Sequence, residues 1–344
     1  MPDAFAGPRG RGHVARRLLL AGAGVLVAMV VALLVAMQLS PQPGVWAIRW
    51  LFERGAAQSV ATMSAYAPQD VKAQLDIVYD PQDPDARLDV YWPPDPAGPD
   101  GRPTIVWVHG GAFVAGSRAD VAPYLRMLAA EGYTAVAVGY SLAPSRRYPT
   151  PLRQLDTALG YLDRHAQTLQ VDPGRVFLAG DSAGAQIVAQ YAALMGRPEL
   201  ARSLGIEPGL RRAQLKGLLL YCGPHDAASV RFDGAVGWFL RTVLWAYLGE
   251  KDPRGDPRLV DMTISHHLTP DYPPMFITVG QADPLEAHSR KLATAARALG
   301  IGVDSLFFDA DHMPALPHEY QFQLGLNDAQ EALRRTLAFL ARHR

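Results

Sequence analysis

From Leu18 to Met37 the chain runs 20 residues without a charge, LLLAGAGVLVAMVVALLVAM, and without the polar stripe that a helix on a soluble core keeps toward water. At about 1.5 Å of rise per residue, a helix of that length just crosses the roughly 30 Å hydrocarbon layer of a bilayer. Residues 18–39 are therefore expected to form an uncleaved membrane anchor. A secretory signal would have a shorter apolar centre and a small-x-small cleavage site, and the closing VAMQLSPQP offers none that is clean. Secretion after cleavage is the alternative. SPQPG (40–44) then breaks the run, and residues 45–67 space Trp46, Trp50, Leu51 and Val60 at loosely helical intervals. The stretch 40–73 reads as a juxtamembrane linker or helix.

Beyond residue 74 the periodicity changes. QLDIVY and RLDVYWP alternate apolar and polar positions around the turn-rich DPQDPDA, as an antiparallel edge pair does. After the Pro/Gly loop PDPAGPDGRP the strand runs become continuously apolar: TIVWVHG, YTAVAVGY, RVFLAG, KGLLLYCG, PMFITVG and VDSLFF. Such runs fit parallel strands covered on both faces. Helical stretches such as 151–168 and 285–299 lie between them, so 74–344 is expected to be one three-layer α/β domain with a mostly parallel sheet. Residues 224–272, with the aromatic-rich VGWFLRTVLWAYLG, are longer than one crossover needs and read as a cap inserted over the strand ends. Within it Trp238, Phe239, Leu244, Trp245 and Tyr247 either line an acyl pocket or lid, or pack a helix onto the sheet.

Charge refines this picture modestly. Lys+Arg and Asp+Glu number 33 each, so the formal net charge is zero, and the basic surplus of a nucleic-acid binder is missing. Arg9, Arg11, Arg16 and Arg17 precede the apolar span, whereas Arg49, Glu53 and Arg54 follow it. The positive-inside bias then places residues 1–17 in the cytoplasm and the α/β domain outside it. The single cysteine, Cys222, excludes an internal disulfide and reads as a buried small apolar residue.

Candidate chemistry begins at GDSAG, residues 180–184, directly after the strand RVFLA and before a helical stretch. A sharp strand-to-helix turn needs tiny neighbours, which Gly180, Ala183 and Gly184 supply, and it lifts the Ser182 hydroxyl off the sheet at the positive end of the helix. A serine hydroxyl needs a base to become a nucleophile, and acyl transfer needs N–H donors for the developing oxyanion. HGGAF follows the strand TIVWV, and its His109, Gly110 and Gly111 would let the backbone bend and aim consecutive N–H groups at one point.

In order along the chain, HGGAF, GDSAG and ADPL resemble the α/β-hydrolase superfamily and, within it, the hormone-sensitive-lipase-like bacterial carboxylesterases, from about residue 85 to the C-terminus. The resemblance implies oxyanion donors at Gly111, Ala112 and Ala183, with Ala112 standing where the family usually has a third glycine. It also implies an acid at Asp283, after the penultimate strand. That aspartate could equally open the helix 285–299, and Glu286 is the weaker candidate acid. Two histidines qualify as base: His312 lies four residues past Phe308, whereas His318 opens HEYQF, which resembles the family's His-Gly-Phe stretch. His318 is preferred and His312 is the alternative.

The expectation is a membrane-anchored serine hydrolase of small carboxylic esters working through an acyl-enzyme, with no cofactor or metal required. Two alternatives stand beside it, a deacetylase- or formamidase-type relative acting on envelope glycan esters or amides, and a non-catalytic binding module on the same fold. Oligomeric state is open.

Overall fold

The computed structural model describes residues 11–344. Helix α1 (Arg11–Leu39) contains the apolar span and starts earlier than residue 18; residues 1–10 of the basic segment lie outside the described part. Ser40 and Pro41 separate it from α2 (Gln42–Ser64). The α/β body follows in the order β1 (Lys72–Val78), β2 (Arg87–Trp92), β3 (Arg102–Val108), α3 (Arg118–Ala130), β4 (Thr134–Val138), α4 (Thr150–Arg164), β5 (Val171–Asp181), α5 (Ser182–Gly196), α6 (Pro198–Leu204) and β6 (Leu215–Tyr221). The cap helices α7 (Gly234–Leu248) and α8 (Pro257–Asp261) precede β7 (Met275–Thr278), α9 (Glu286–Ala298), β8 (Val303–Leu306) and α10 (Asn327–His343).

Among the described residues, eight strands form one sheet in the order β1-β2-β4-β3-β5-β6-β7-β8. β1 pairs antiparallel with β2, and β2 antiparallel with β4; the remaining pairs are parallel. Alternation along β3 shows the layering. Val106 and Val108 join the core on the α4, α5 and α9 side, whereas Ile105 and Trp107 join the core under α3 and α10. Three layers result, as the continuous apolar strands require.

The central strand β5 lies between β3 and β6, and α5 leaves its C-terminal end. α5 is buried from Ser182 to Leu194, polar residues included. Gln190 donates to Tyr148 Oη at 2.7 Å, Gln186 donates to Gln190 Oε1 at 2.9 Å, and Tyr191 donates to Asp156 at 2.6 Å. Polar groups this deep are tolerated where they are partnered, as these donors are, although Gln186 Oε1 accepts no bond among the described residues.

Residues 40–73 prove to be more than a linker. One face of α2 carries Gly44, Val45 and Ile48 into the body, Phe52 meets Phe239 of α7 with ring centroids 6.0 Å apart, and Arg49 donates to the carbonyls of Val114 (2.6 Å) and Ala143 (3.0 Å).

Candidate active site

The turn between β5 and α5 is sharp because the backbone is forced there. Asp181 is extended (φ −113°, ψ 146°), and Ser182 has φ 48°, a left-handed value that a non-glycine residue adopts only where its surroundings hold it. Close packing requires the flanking glycines. A Cβ on Gly180 would stand 2.5 Å from the Gly184 carbonyl carbon, and one on Gly184 would run into the Val108 carbonyl. The first-turn N–H groups of α5, Ala183 among them, have no intrahelical acceptor and face the end where Ser182 sits.

A second turn faces this one. Gly111, Ala112 and Phe113 are successive left-handed residues (φ 110°, 52° and 61°), closed by hydrogen bonds from Val114 and Ala115 to the Gly111 carbonyl. Among the described residues neither the Gly111 nor the Ala112 N–H has an acceptor within the protein. Asp181 ties the two turns together: it accepts from Trp107 Nε1 and from the Gly110 N–H, each at 2.7 Å. His109 completes the support. Its ring stacks on Tyr140 at 4.4 Å and contacts the Gly110 carbonyl through Nδ1 at 2.8 Å, and complete burial lowers it to about 4. It is a neutral structural ring and not a base. Phe113 stacks on Tyr247 of α7 at 4.1 Å, so the cap also grips this turn.

His318 comes to Ser182 from the loop between β8 and α10. Its Nε2 lies 3.0 Å from Ser182 Oγ and its Nδ1 2.8 Å from Asp283 Oδ2. An ionised carboxylate only accepts, so Nδ1 carries the proton and Nε2 is free to take one from the hydroxyl. Asp283 has a fully buried side chain, and its Oδ1 accepts from the Leu285 N–H at 2.7 Å. One carboxylate thus bonds the imidazole and also closes the turn just before α9, whose cap residue Leu285 supplies no side-chain bond of its own. Burial works against charging the His318 ring; the Cys222 sulfur, Asp283 and Glu319 work the other way and prevail, holding it well above its ordinary value.

The other candidates sit elsewhere. His312 turns away: its Nε2 is 3.1 Å from Asp328 Oδ1 and its ring lies on Phe308 at 4.7 Å. It packs the loop against the start of α10. Glu286 accepts from Arg290 at 2.7 Å on the surface of α9 and does not reach the site.

Two residues at the site were missed as chemical participants. Glu319 is left-handed (φ 58°), the conformation a glycine would take after the histidine, and it puts Oε1 3.8 Å from His318 Nε2. It faces Asp181 across Gly110, where an added Cβ would meet Glu319 Oε1 at 3.0 Å. Burial, and next the facing Glu319, push the Asp181 carboxyl well above the usual carboxylate range. The departure from glycine in HEYQF was the available signal. Cys222 is buried as expected, but a ligand atom each from Cys222, Asp283 and His318 all lie within 4.8 Å of one another. Burial pushes that thiol up to about 11. Because Asp283 and His318 already bond to each other and the thiol keeps its proton, the group is arranged to orient an imidazole rather than to ligate a metal. Ser182 is buried, whereas the His318 and Glu319 side chains beside it are 34% and 36% exposed.

A nucleophile turn at the centre of a mostly parallel eight-stranded sheet, facing a loop of unpaired N–H groups, defines a class. The chain belongs to the α/β-hydrolase fold family, whose model matches residues 105–320. The similarity to carboxylesterases carried by HGGAF, GDSAG and ADPL is borne out by its relatives. It is 30% identical over 210 residues to the acetyl esterases of Salmonella paratyphi B and Salmonella agona, across 58% of this chain. The match spans 61% of those relatives' own length. Among solved structures, esterase B of Lactobacillus rhamnosis aligns with a TM-score of 0.74 at 23% identity, over 88% of this chain and 96% of that one. An esterase of Pyrobaculum calidifontis aligns at 0.68 and 22%, over 86% and 92%. At these identities the structural likeness speaks for the fold.

Proposed function

We propose that the protein is a membrane-anchored serine esterase that cleaves short-chain carboxylic esters, acetyl esters foremost, through an acyl-enzyme. The observation that carries this reading is the continuous relay Ser182 Oγ, His318 Nε2, His318 Nδ1, Asp283 Oδ2 at 3.0 and 2.8 Å. His318 takes the Ser182 proton as Oγ bonds to the ester carbonyl carbon. The carbonyl oxygen becomes an oxyanion held by the Gly111, Ala112 and Ala183 N–H groups. Collapse breaks the bond to the alkoxy oxygen, which leaves with the proton from His318. Water then adds to the acyl-enzyme by the same route, releasing the acid and returning the proton to Ser182. The relatives named acetyl esterase support the acyl preference, and the complete relay argues against a non-catalytic module.

Anchoring rests on α1. Arg16–Leu39 is long and apolar enough to span a bilayer and is not buried by the protein. Arginines before it favour a cytoplasmic N-terminus and an extracytoplasmic domain.

The test is a p-nitrophenyl ester series on the full chain in detergent: acetyl, butyryl, octanoyl and palmitoyl. The expected result is the highest kcat/KM for acetyl and butyryl, with a steep fall by palmitoyl. Absence of turnover for every ester would remove the proposal.

A further inference from the structure

The outward side of α2 is unlike that of any other helix packed on the body. Trp46, Trp50 and Leu51 are 61%, 56% and 61% exposed; Trp46 and Trp50, four apart, share one helical face, and Leu51 borders it on the same turn as Trp50. Trp238 of α7 is 41% exposed, its ring lying against Gly44 in the first turn of α2. From Glu53 onward the exposed positions of α2 turn polar or small: Glu53, Arg54, Gly55, Ala57, Gln58. Trp46 to Leu51 rises about 7.5 Å along the helix, comparable with the headgroup zone on one side of a bilayer, roughly 5–10 Å.

We infer that this face, Trp46 and Trp50 bordered by Leu51, rests in the lipid headgroup layer and sets how the catalytic domain sits on the membrane. The inference depends on α1 being a membrane span. Three observations select lipid as the occupant. The face begins seven residues after Leu39, the end of a helix whose residues from Leu18 to Val35 are all exposed. The base of that helix is tied to the cap, since Lys251 Nζ donates to Gln38 Oε1 at 3.0 Å, so the patch cannot swing far from the bilayer. Its chemistry is interfacial: two tryptophans, with the Arg54 guanidinium 3.9 Å over the Trp50 ring, where the cation can reach up to phosphate. The opposite face of the same helix holds the Gly111–Ala115 turn through Arg49, whose partner is the Val114 carbonyl. Seating α2 in the headgroups therefore places the oxyanion turn at a fixed height above the lipid, suited to esters that partition into the interface.

Nitroxide labels test this on the full chain in phosphatidylcholine–phosphatidylglycerol vesicles. Leu51→Cys and Trp46→Cys carry the label, Gln58→Cys is the aqueous reference, and Cys222 stays unlabelled because it is buried. The expected result is collision with oxygen several-fold above, and with a water-soluble nickel chelate several-fold below, the values at Gln58. High nickel collision at Leu51 and Trp46 overturns the inference, as does low collision with both reagents, which marks a face covered by a second copy of the chain. Alkaline carbonate extraction of the same vesicles separates the two readings. A chain that resists extraction but shows nickel-exposed labels keeps the anchor and loses the α2 seat; a chain that is extracted loses both.

Discussion

At the turn after β5 everything around Ser182 is fixed by backbone contact: Gly180 against Gly184, Gly184 against the Val108 carbonyl, and Asp181 bonded to Trp107 and Gly110. The loop between β8 and α10, which delivers His318, is held differently. Leu316 accepts from Ala282 at 3.1 Å and donates to Gln281 Oε1 at 3.2 Å, and Tyr320 Oη meets Thr278 Oγ1 at 2.6 Å, while Met313 is 79% exposed. Ser182 is set by local geometry that admits few residues, and His318 by a few long-range polar contacts that many sequences could make. Precision at 3 Å can be reached either way, but only the first leaves a local imprint on the sequence.

Substitutions can sharpen that contrast. The largest effects fall on the relay itself. Ser182→Ala and His318→Ala each lower kcat on p-nitrophenyl acetate by at least about 10⁴-fold, since removing either member of such a unit costs about as much as removing all of it. His312→Ala stays within about threefold. Comparable losses in His312→Ala and His318→Ala would mean the loop rearranges in solution.

Next come paired glycines. Gly184→Ala presses a methyl against main chain that cannot move, so denaturant unfolding is expected to show about 3 kcal/mol of lost stability. Gly280→Ala presses on the Leu316 carbonyl, which belongs to the base loop. That loop can shift, so the expected outcome is a clear loss of kcat with most of the stability kept. Equal destabilisation of the two variants would erase the distinction. Tyr320→Phe removes one anchor of the same loop and should cost about 1 kcal/mol, read as roughly fivefold in kcat/KM.

The smallest effect concerns pH. His318 must be neutral to accept the serine proton, and its raised pKa means that activity is lost as pH falls through a value above 6.5. Glu319 contributes to that elevation from 3.8 Å. Glu319→Gln is therefore expected to move the acid limb of the kcat/KM profile to lower pH. An unmoved limb would show that Asp283 and the surrounding burial alone set the base.

The same contrast explains what could be read in advance. Strands β3 to β8 were legible because burial on both faces imposes continuous apolar runs, β1 and β2 because an edge pair alternates, and the Ser182 turn because it leaves small residues on either side; Gly111 and Ala112 came from the resemblance of HGGAF to the esterases. Asp283 followed from its place after β7. His318 and His312 could not be separated by spacing alone, since what distinguishes them is the docking of Leu316 and Tyr320 on residues 278–282, a contact across more than 30 positions. Arg49 and Cys222 were opaque as site neighbours for the same reason: their partners are distant in sequence, and nothing in their local pattern reports them, whereas Glu319 had a local signal in the glycine that HEYQF lacks.

The relay is tested most directly by covalent trapping. Treated with a fluorophosphonate, the full chain should gain one phosphonyl adduct by intact mass, mapped by peptide analysis to Ser182, abolished in Ser182→Ala and strongly slowed in His318→Ala. An adduct on another residue, or labelling undiminished in Ser182→Ala, would contradict the account.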